Sequence, residues 1–294
     1  MQAIPVSYGK KIVKPETEPT KQGYVFAGWY MDEAYTDAVN FTSDKMPANE
    51  ITLYAKWEPA DGVAYKVEHY LAELDGTYTK YAQDSLLSGK TDTDVNAVPT
   101  VISGFAFDEE NASNIKSGKV APDGSLVLKL YYNRAYFDVE WLNHKDEVIV
   151  TTSVIYGGSV TEPVVDTAPE RTGYIFDGWN VPMEPMPATK IKAYAKWAPI
   201  TYKVVFHNGL ETAKTSEQTL TYDANTSLAV NKFENPGYVF AGWTDNEKTY
   251  DDGAIVVNLC DTQDATYNLY AIWTPGQASY KIEHYKQNVS GEGY

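Results

Sequence analysis

The side chains best suited to chemistry in this 294-residue chain are its 4 histidines, its single cysteine and a few acidic pairs. His69 and His284 occupy one position of a repeated strand, Tyr65 to Tyr70 and Tyr280 to Tyr285, while His144 and His207 stand alone in theirs, so all four read as strand histidines. No Glu-Xaa-Xaa-His, Gly-Xaa-Ser-Xaa-Gly or phosphate-cradling glycine loop is present. Cys260 alone builds neither an internal disulfide nor a metal site. Asp108-Glu109-Glu110 and Asp251-Asp252-Gly253 offer oxygen ligands but lack the spacing of a known calcium loop, and read as solvated acidic turns. The triplets at Asn40, Asn111, Asn225 and Asn288 match the glycosylation pattern and read as chance. These residues point away from an enzyme and imply no cofactor or metal. What remains is recognition by exposed rings. Tyr54, Tyr194 and Tyr270 recur at one position, with Lys56 and Lys196 nearby, and tyrosine suits both glycan stacking and protein contact. The alternative is that these rings pack against a second layer or a neighbouring module.

The elements that carry them are repeats. Gly23-Tyr24-Val25-Phe26-Ala27-Gly28-Trp29 returns as Gly173 to Trp179 and as Gly237 to Trp243. Each copy is followed by a closing strand, Leu53 to Trp57, Ala193 to Trp197 and Leu269 to Trp273, and preceded by a turn at Tyr8-Gly9, Tyr156-Gly157 and Tyr222-Asp223. Fixed self-similarity of this kind is the mark of a tandem array. In the first closing strand Ile51, Leu53, Ala55 and Trp57 share one face while Thr52, Tyr54 and Lys56 share the other. Gly28 permits a bulge, so counting alone does not assign Phe26 and Trp29 to faces. A short helix is allowed at 32–41.

Modules this small bury only roughly 60–65% of their unfolded surface and need dense cores. The 24 Tyr, 9 Phe and 7 Trp meet that need. Phe26, Trp29, Trp57, Phe176, Trp179, Trp197, Phe240, Trp243 and Trp273 are therefore assigned to the repeat cores. The net charge of −16 is spread over the modules, which argues against nucleic acid or an anionic membrane as partner. No apolar run approaches a membrane span.

The modules follow as 1–58, 63–134, 135–198, 200–274 and the start of another at 279–294. Phe137 to Asn143 and Tyr202 to Asn208 open the third and fourth, with nothing equivalent before Tyr8, so the first lacks its first strand. A fragment of a longer array is the reading that results, with any signal and anchor outside it. The second module carries turn signals at Asp75-Gly76 and Asp123-Gly124, each predicting a hairpin. Its Gly104-Phe105-Ala106-Phe107 matches the Gly-Tyr-Xaa-Phe of the others, which makes the two types variations on one small fold. The third is shortest: Trp179 and Trp197 lie 18 apart against 28 for Trp29 and Trp57, and Met186-Pro187-Ala188 aligns with Met46-Pro47-Ala48.

This pattern of Tyr-Gly, Gly-Tyr-Xaa-Phe-Xaa-Gly-Trp and Leu-Tyr-Ala-Lys-Trp resembles the Listeria–Bacteroides repeat, the B-repeat of internalin-type surface proteins, over three modules. The second module, with Tyr65-Lys66-Val67-Glu68-His69-Tyr70, is similar to the mucin-binding-protein repeat of Gram-positive surface proteins. The resemblance implies a mainly β (α+β) fold, an elongated array of small ubiquitin-like β-grasp modules. It also implies secretion, cell-wall attachment, and adhesion or spacing. The partner expected is a host glycoprotein such as mucin or immunoglobulin, met by a monomer without membrane contact of its own. The alternative is a passive stalk displaying a distal domain.

Overall fold

The computed structural model describes residues 3–165 and 168–284 and divides by contact into two compact units. One comprises Met1–Asp138, Ser153–Val160 and Met183–Ile191, the other Val139–Thr152, Thr161–Pro182 and Lys192–Tyr294. Strands and turns account for all the regular structure among the described residues.

The first module is a two-stranded antiparallel sheet of β1 (Tyr24–Tyr30) and β2 (Tyr54–Pro59). Phe26 pairs with Trp57 and Trp29 with Ala55, and the register slips between Phe26 and Gly28. That bulge answers the question the glycine posed. One extra residue brings Phe26 and Trp29 to the same face, ring centroids 5.4 Å apart and edge-on, with Phe26 also 5.6 Å from Trp57. Gly28, at φ 120°, takes a backbone angle that side chains disfavour.

The second module runs β3 (Val63–Ala72), β4 (Tyr78–Lys80), β5 (Ser85–Gly89), β6 (Asp94–Asn96), β7 (Phe105–Phe107), β8 (Ser117–Lys119) and β9 (Val127–Arg134). Its main sheet orders as β4-β3-β9-β7, with β5 also on β3, and β3 and β9 lie parallel at the centre. Val67, Leu128, Leu130 and Tyr132 are buried there beneath Val120. Asp75-Gly76 turns β3 back on β4 as a hairpin. Asp123-Gly124 also turns, but β8 pairs with β6 and β9 with β3, so the second predicted hairpin is absent. The turn residues were read correctly; which strands they would join depends on pairings distant in sequence.

Next come β10 (Tyr136–Leu142), β11 (Val148–Ile155), β12 (Tyr174–Asn180) and β13 (Ile191–Pro199), in the sheet order β11-β10-β13-β12. The fourth module has β14 (Thr201–His207), β15 (Thr215–Thr221), β16 (Thr226–Ser227), β17 (Tyr238–Thr244), β18 (Thr249–Tyr250), β19 (Ile255–Val256) and β20 (Thr266–Pro275). Its sheet orders as β15-β14-β20-β17-β18, again with the first and closing strands parallel. Phe206 and Trp243 meet at 4.8 Å inside a core with Tyr202, Val204 and Leu269, all at most 1% exposed. Burying a side chain of this size stabilises by about 2–3 kcal/mol. Among the described residues the first module's sheet holds β1 and β2 only, and Trp29 is half-buried where Trp243 is 1% exposed.

The expected α+β, ubiquitin-like β-grasp class is therefore overturned: the described residues are all-β, without a helix. The span 32–41 is a run of turns in which Tyr35 adopts φ 56°, ending any helical stretch, and the Asp32 carboxylate accepts the Thr36 amide at 2.8 Å. Other connections where a crossing helix would lie are rich in β-branched residues and proline, as in Val95-Asn96-Ala97-Val98-Pro99-Thr100-Val101, a composition that disfavours a helix.

Consecutive modules meet three times through one backbone arrangement. The Ala60 amide donates to the Gly23 carbonyl at 3.0 Å while the Ala60 carbonyl accepts from Thr91 at 2.9 Å. Ala135 does the same between Gly104 and Tyr156, and Ile200 between Gly173 and Tyr222. In each case the turn of the following module sits over the glycine of the preceding one. An added Cβ on Gly173 would lie 2.3 Å from the Tyr222 ring, on Gly104 2.4 Å from Tyr156, and on Gly23 2.5 Å from Pro122. The two joints that follow β1 and β12 add a phenol: Tyr24 donates to Asp92 at 2.6 Å and Tyr174 to Asp223 at 2.5 Å, with Lys21 and Arg171 over the respective rings.

A candidate recognition surface

Tyr54, Tyr194 and Tyr270 do fall at one register position, opposite Tyr30, Asn180 and Thr244 of their neighbouring strands. Strand alternation turns Tyr194 (40% exposed) and Tyr270 (37%) outward while the preceding Ala193 and Leu269 face the core. Lys196 is exposed as well, whereas Tyr54 and Lys56 are half-buried. The Lys56 ammonium lies 5.2 Å from the centre of the Tyr30 ring, so this cation is already held by an aromatic face.

The fourth module builds the most elaborate version. Tyr270 stacks on His207 with centroids 4.7 Å apart and planes 20° from parallel, and His207 Nε2 lies 2.9 Å from Asn268 Oδ1. A ring fixed in this way meets a ligand with little further loss of rotamer freedom. Parallel pairing of His207 with Tyr270 creates the stack, and nothing local in the sequence reveals it.

The core assignments distribute unevenly. Trp179 and Trp243 are buried, while Phe26, Trp29, Trp57, Phe176, Trp197, Phe240 and Trp273 are half-buried. Trp273 donates its indole proton to the Asn208 carbonyl at 2.8 Å. A shallow hollow of about 530 Å³ beside Phe233, Tyr238, Phe240 and Trp273 lies at the Gly237 turn, the place that the following module covers at Gly23, Gly104 and Gly173.

The second module contributes a cluster that the sequence reading missed. Lys66 and Lys80 both reach Glu68, at 2.7 and 2.9 Å, and Lys80 reaches Asp84 at 3.2 Å. Tyr70 donates to Glu68 at 2.9 Å and stacks on Tyr131 at 4.8 Å. Bonds from Lys66, then Lys80, then Tyr70 hold the Glu68 carboxyl down at about 2. The cluster neutralises itself and leaves tyrosine faces as its outward feature. Its signal was the alternation of Lys66, Glu68 and Tyr70 against Tyr65, Val67 and His69. The latter set is buried, as is Glu68 beneath its two lysines, and His69 places its ring nitrogens 3.0 Å from the Tyr132 and Ser85 hydroxyls. Burial depresses its basicity, against the opposing pull of Asp84.

His144 lies edge-on to Trp197, and His284 is exposed. The acidic turns serve the fold: Asp252 accepts the Asn231 amide at 2.8 Å, and the Asp108 carbonyl accepts Asn114 at 2.7 Å. Among the described residues no three His, Cys, Asp or Glu side chains gather as a metal site, and no helix is long and apolar enough to cross a membrane.

A family model described as the Listeria-Bacteroides repeat domain matches residues 1–56, 137–190 and 202–271. Over 291 residues the chain is 25% identical to a protein of Evansella cellulosilytica named "Putative membrane protein", covering 91% of this chain and 41% of that one. Internalin H of Listeria monocytogenes is 38% identical over 81 residues, 26% of this chain and 13% of that protein. The chain thus spans less than half the length of these curated relatives. A solved structure, the Bacillus anthracis TIE protein, aligns with a TM-score of 0.30 at 10% identity over 76% of this chain and 54% of that one.

Proposed function

The chain belongs to the Listeria-Bacteroides repeat family, and from that premise we propose that it is the repeat region of a bacterial cell-wall-attached surface protein that adheres to a host or matrix glycoprotein. The similarity to proteins named as a membrane protein and an internalin supports the surface location. The observation that carries adhesion is Tyr270, held against His207 yet 37% exposed, at the register position that Tyr194 and Tyr54 share. Aromatic faces flanked by Lys56, Lys196 and His207 suit a glycan or glycoprotein in a chain otherwise rich in acid.

A second reading rests on the joints. Three module boundaries each fixed by two backbone hydrogen bonds suit a spacer that holds a distal domain and has no ligand of its own. Binding of the chain to immobilised mucin and immunoglobulin, beside a variant with Tyr54, Tyr194 and Tyr270 changed to Ala, separates the two. Saturable binding lost in the variant supports adhesion through these rings. Binding that the variant retains refutes that surface, and no binding by either form favours the spacer.

A further inference from the structure

Resting on the glycoprotein reading above, we propose that the stacked rings of Tyr70 and Tyr131 make the second module a binding site for an uncharged pyranoside chain. Tyr70 pairs with Tyr131 across the parallel strands β3 and β9, and His207 with Tyr270 across β14 and β20. The two pairs hold one place in their modules. Each comes immediately after an inward pair, His69 with Leu130 in the one and Phe206 with Leu269 in the other. Both are stacks, with centroids 4.8 and 4.7 Å apart and planes 11° and 20° from parallel. The fold does not require them. In the third module a leucine, Leu142, stands where Tyr70 and His207 stand, 1% exposed, and β10 and β13 still pair.

In the second module the stack is fixed from several sides. Tyr78 meets Tyr131 edge-on at 5.1 Å, and its hydroxyl donates to Asn133 Oδ1 at 2.7 Å while accepting from the Asn111 amide at 3.0 Å. The Lys129 ammonium lies 5.8 Å from the centre of the Tyr70 ring. All three tyrosines are half-buried, so ring surface stays open to solvent while its freedom is already restricted. Asn111 also donates to Asp108 Oδ2 at 3.3 Å, and the Asp108 amide donates to the Tyr131 carbonyl at 2.9 Å. A carboxylate therefore stands at the rim of the rings.

Charge selects the ligand. Lys66 and Lys80 are taken up by Glu68 and Asp84, and Lys129 and Asp108 are opposite in sign, so the rim sums to no net charge within a chain of −16. Such a surface has no field with which to steer an ionic partner. It offers instead a carboxylate acceptor, amide and ammonium donors, and apolar ring surface within one patch. A pyranose matches that set, presenting C–H groups to the rings and neighbouring hydroxyls to the donors and the acceptor.

The probe is an uncharged hexasaccharide of N-acetyllactosamine, titrated into the full chain and followed by the NMR shifts of Tyr70, Tyr131 and Asn111. A hyaluronan hexasaccharide, which carries carboxylates, is titrated beside it. The expected result is saturable movement of those signals by the uncharged sugar, little altered by salt. Tyr131→Leu keeps apolar bulk but removes a ring, and is expected to weaken binding about tenfold. Because that change also touches packing, Asp108→Asn is the second variant. It leaves the rings and the shape in place and is expected to weaken binding about three- to tenfold with little change in melting. Shifts confined to other modules, binding of hyaluronan alone, or an affinity that both variants leave intact overturns the proposal. Mucin bound without any response to the free hexasaccharide overturns it and leaves the adhesion reading standing, whereas indifference to both removes the two together.

Discussion

Replacing Gly173 by Ala tests whether the joints are packed as described. The residue sits at φ 76°, where an L side chain costs about 1–2 kcal/mol. Its new Cβ would stand 2.3 Å from Tyr222 Cε1 and Cζ and 2.4 Å from Cδ1, roughly an ångström inside normal contact. Relieving such overpacking costs about 1–3 kcal/mol more. The expected total is about 2–5 kcal/mol, felt first at the joint, where the Ile200 amide donates to Gly173 and the Tyr222 amide to Ile200. Native-state hydrogen exchange at those two amides reads the local opening directly. With each 1.4 kcal/mol worth tenfold, exchange is expected to accelerate about 30- to 4000-fold. Gly237→Ala supplies the control. Its φ of 86° carries the same backbone strain, but nothing lies within 4 Å of the added carbon, so about 1–2 kcal/mol is expected. Gly173→Ala with Tyr222→Ala is expected to recover the steric part. Equal losses for Gly173→Ala and Gly237→Ala would show that the Tyr222 ring does not rest on Gly173, and the account of the joint would fall.

Phe206→Ala is expected to cost about 3–5 kcal/mol by calorimetry, because the ring is 1% exposed against Trp243; Phe26→Ala should cost less, its site being half-open. Removing the exposed joint phenol with Tyr174→Phe should change stability by less than about 1 kcal/mol, since the paired groups are solvated; a larger loss in urea titration would contradict this. Acid should weaken the second module first. His69 is held below its ordinary 6.5, so its contribution is full above that pH and declines as pH falls. Glu68 is held at about 2 against 4.5 when unfolded, so its contribution is full above about 4.5 and is lost as pH falls toward 2. Melting temperature followed against pH should show a lower step that Glu68→Gln removes; parallel curves for the two proteins would refute the assignment.

What could be read from the sequence was whatever lies within a few residues. The alternation of Leu53 to Trp57, the turn at Asp75-Gly76 and the recurrence of Gly-Tyr-Xaa-Phe needed no partner to be recognised. The bulge at Gly28 was half legible: glycine marked the place, but only the pairing of Phe26 with Trp57 and Trp29 with Ala55 showed both rings on one face. The α+β class came from family resemblance, whereas the short helix allowed at 32–41 was read from the residues without a helical period, and that span is turns and bends. Contacts made across long separations stayed hidden, including His207 on Tyr270, Lys80 on Glu68 and the turn tyrosines on their glycines. Parallel pairing brings such residues together through connections whose length and course leave no local trace.

The relay at each boundary has one further consequence, for how such a chain changes over generations. Ala60, Ala135 and Ile200 join modules of both kinds, in three different orders, by donating one backbone bond back and accepting one forward. A coupling written in main-chain atoms asks little of the surrounding side chains beyond the glycine on which the next turn rests. A segment cut at equivalent glycines, such as 173–236, can therefore be duplicated or exchanged with the coupling intact at either end. Length and order become heritable variables that recombination adjusts in whole steps, while each module's interior is left to drift under its own packing constraints.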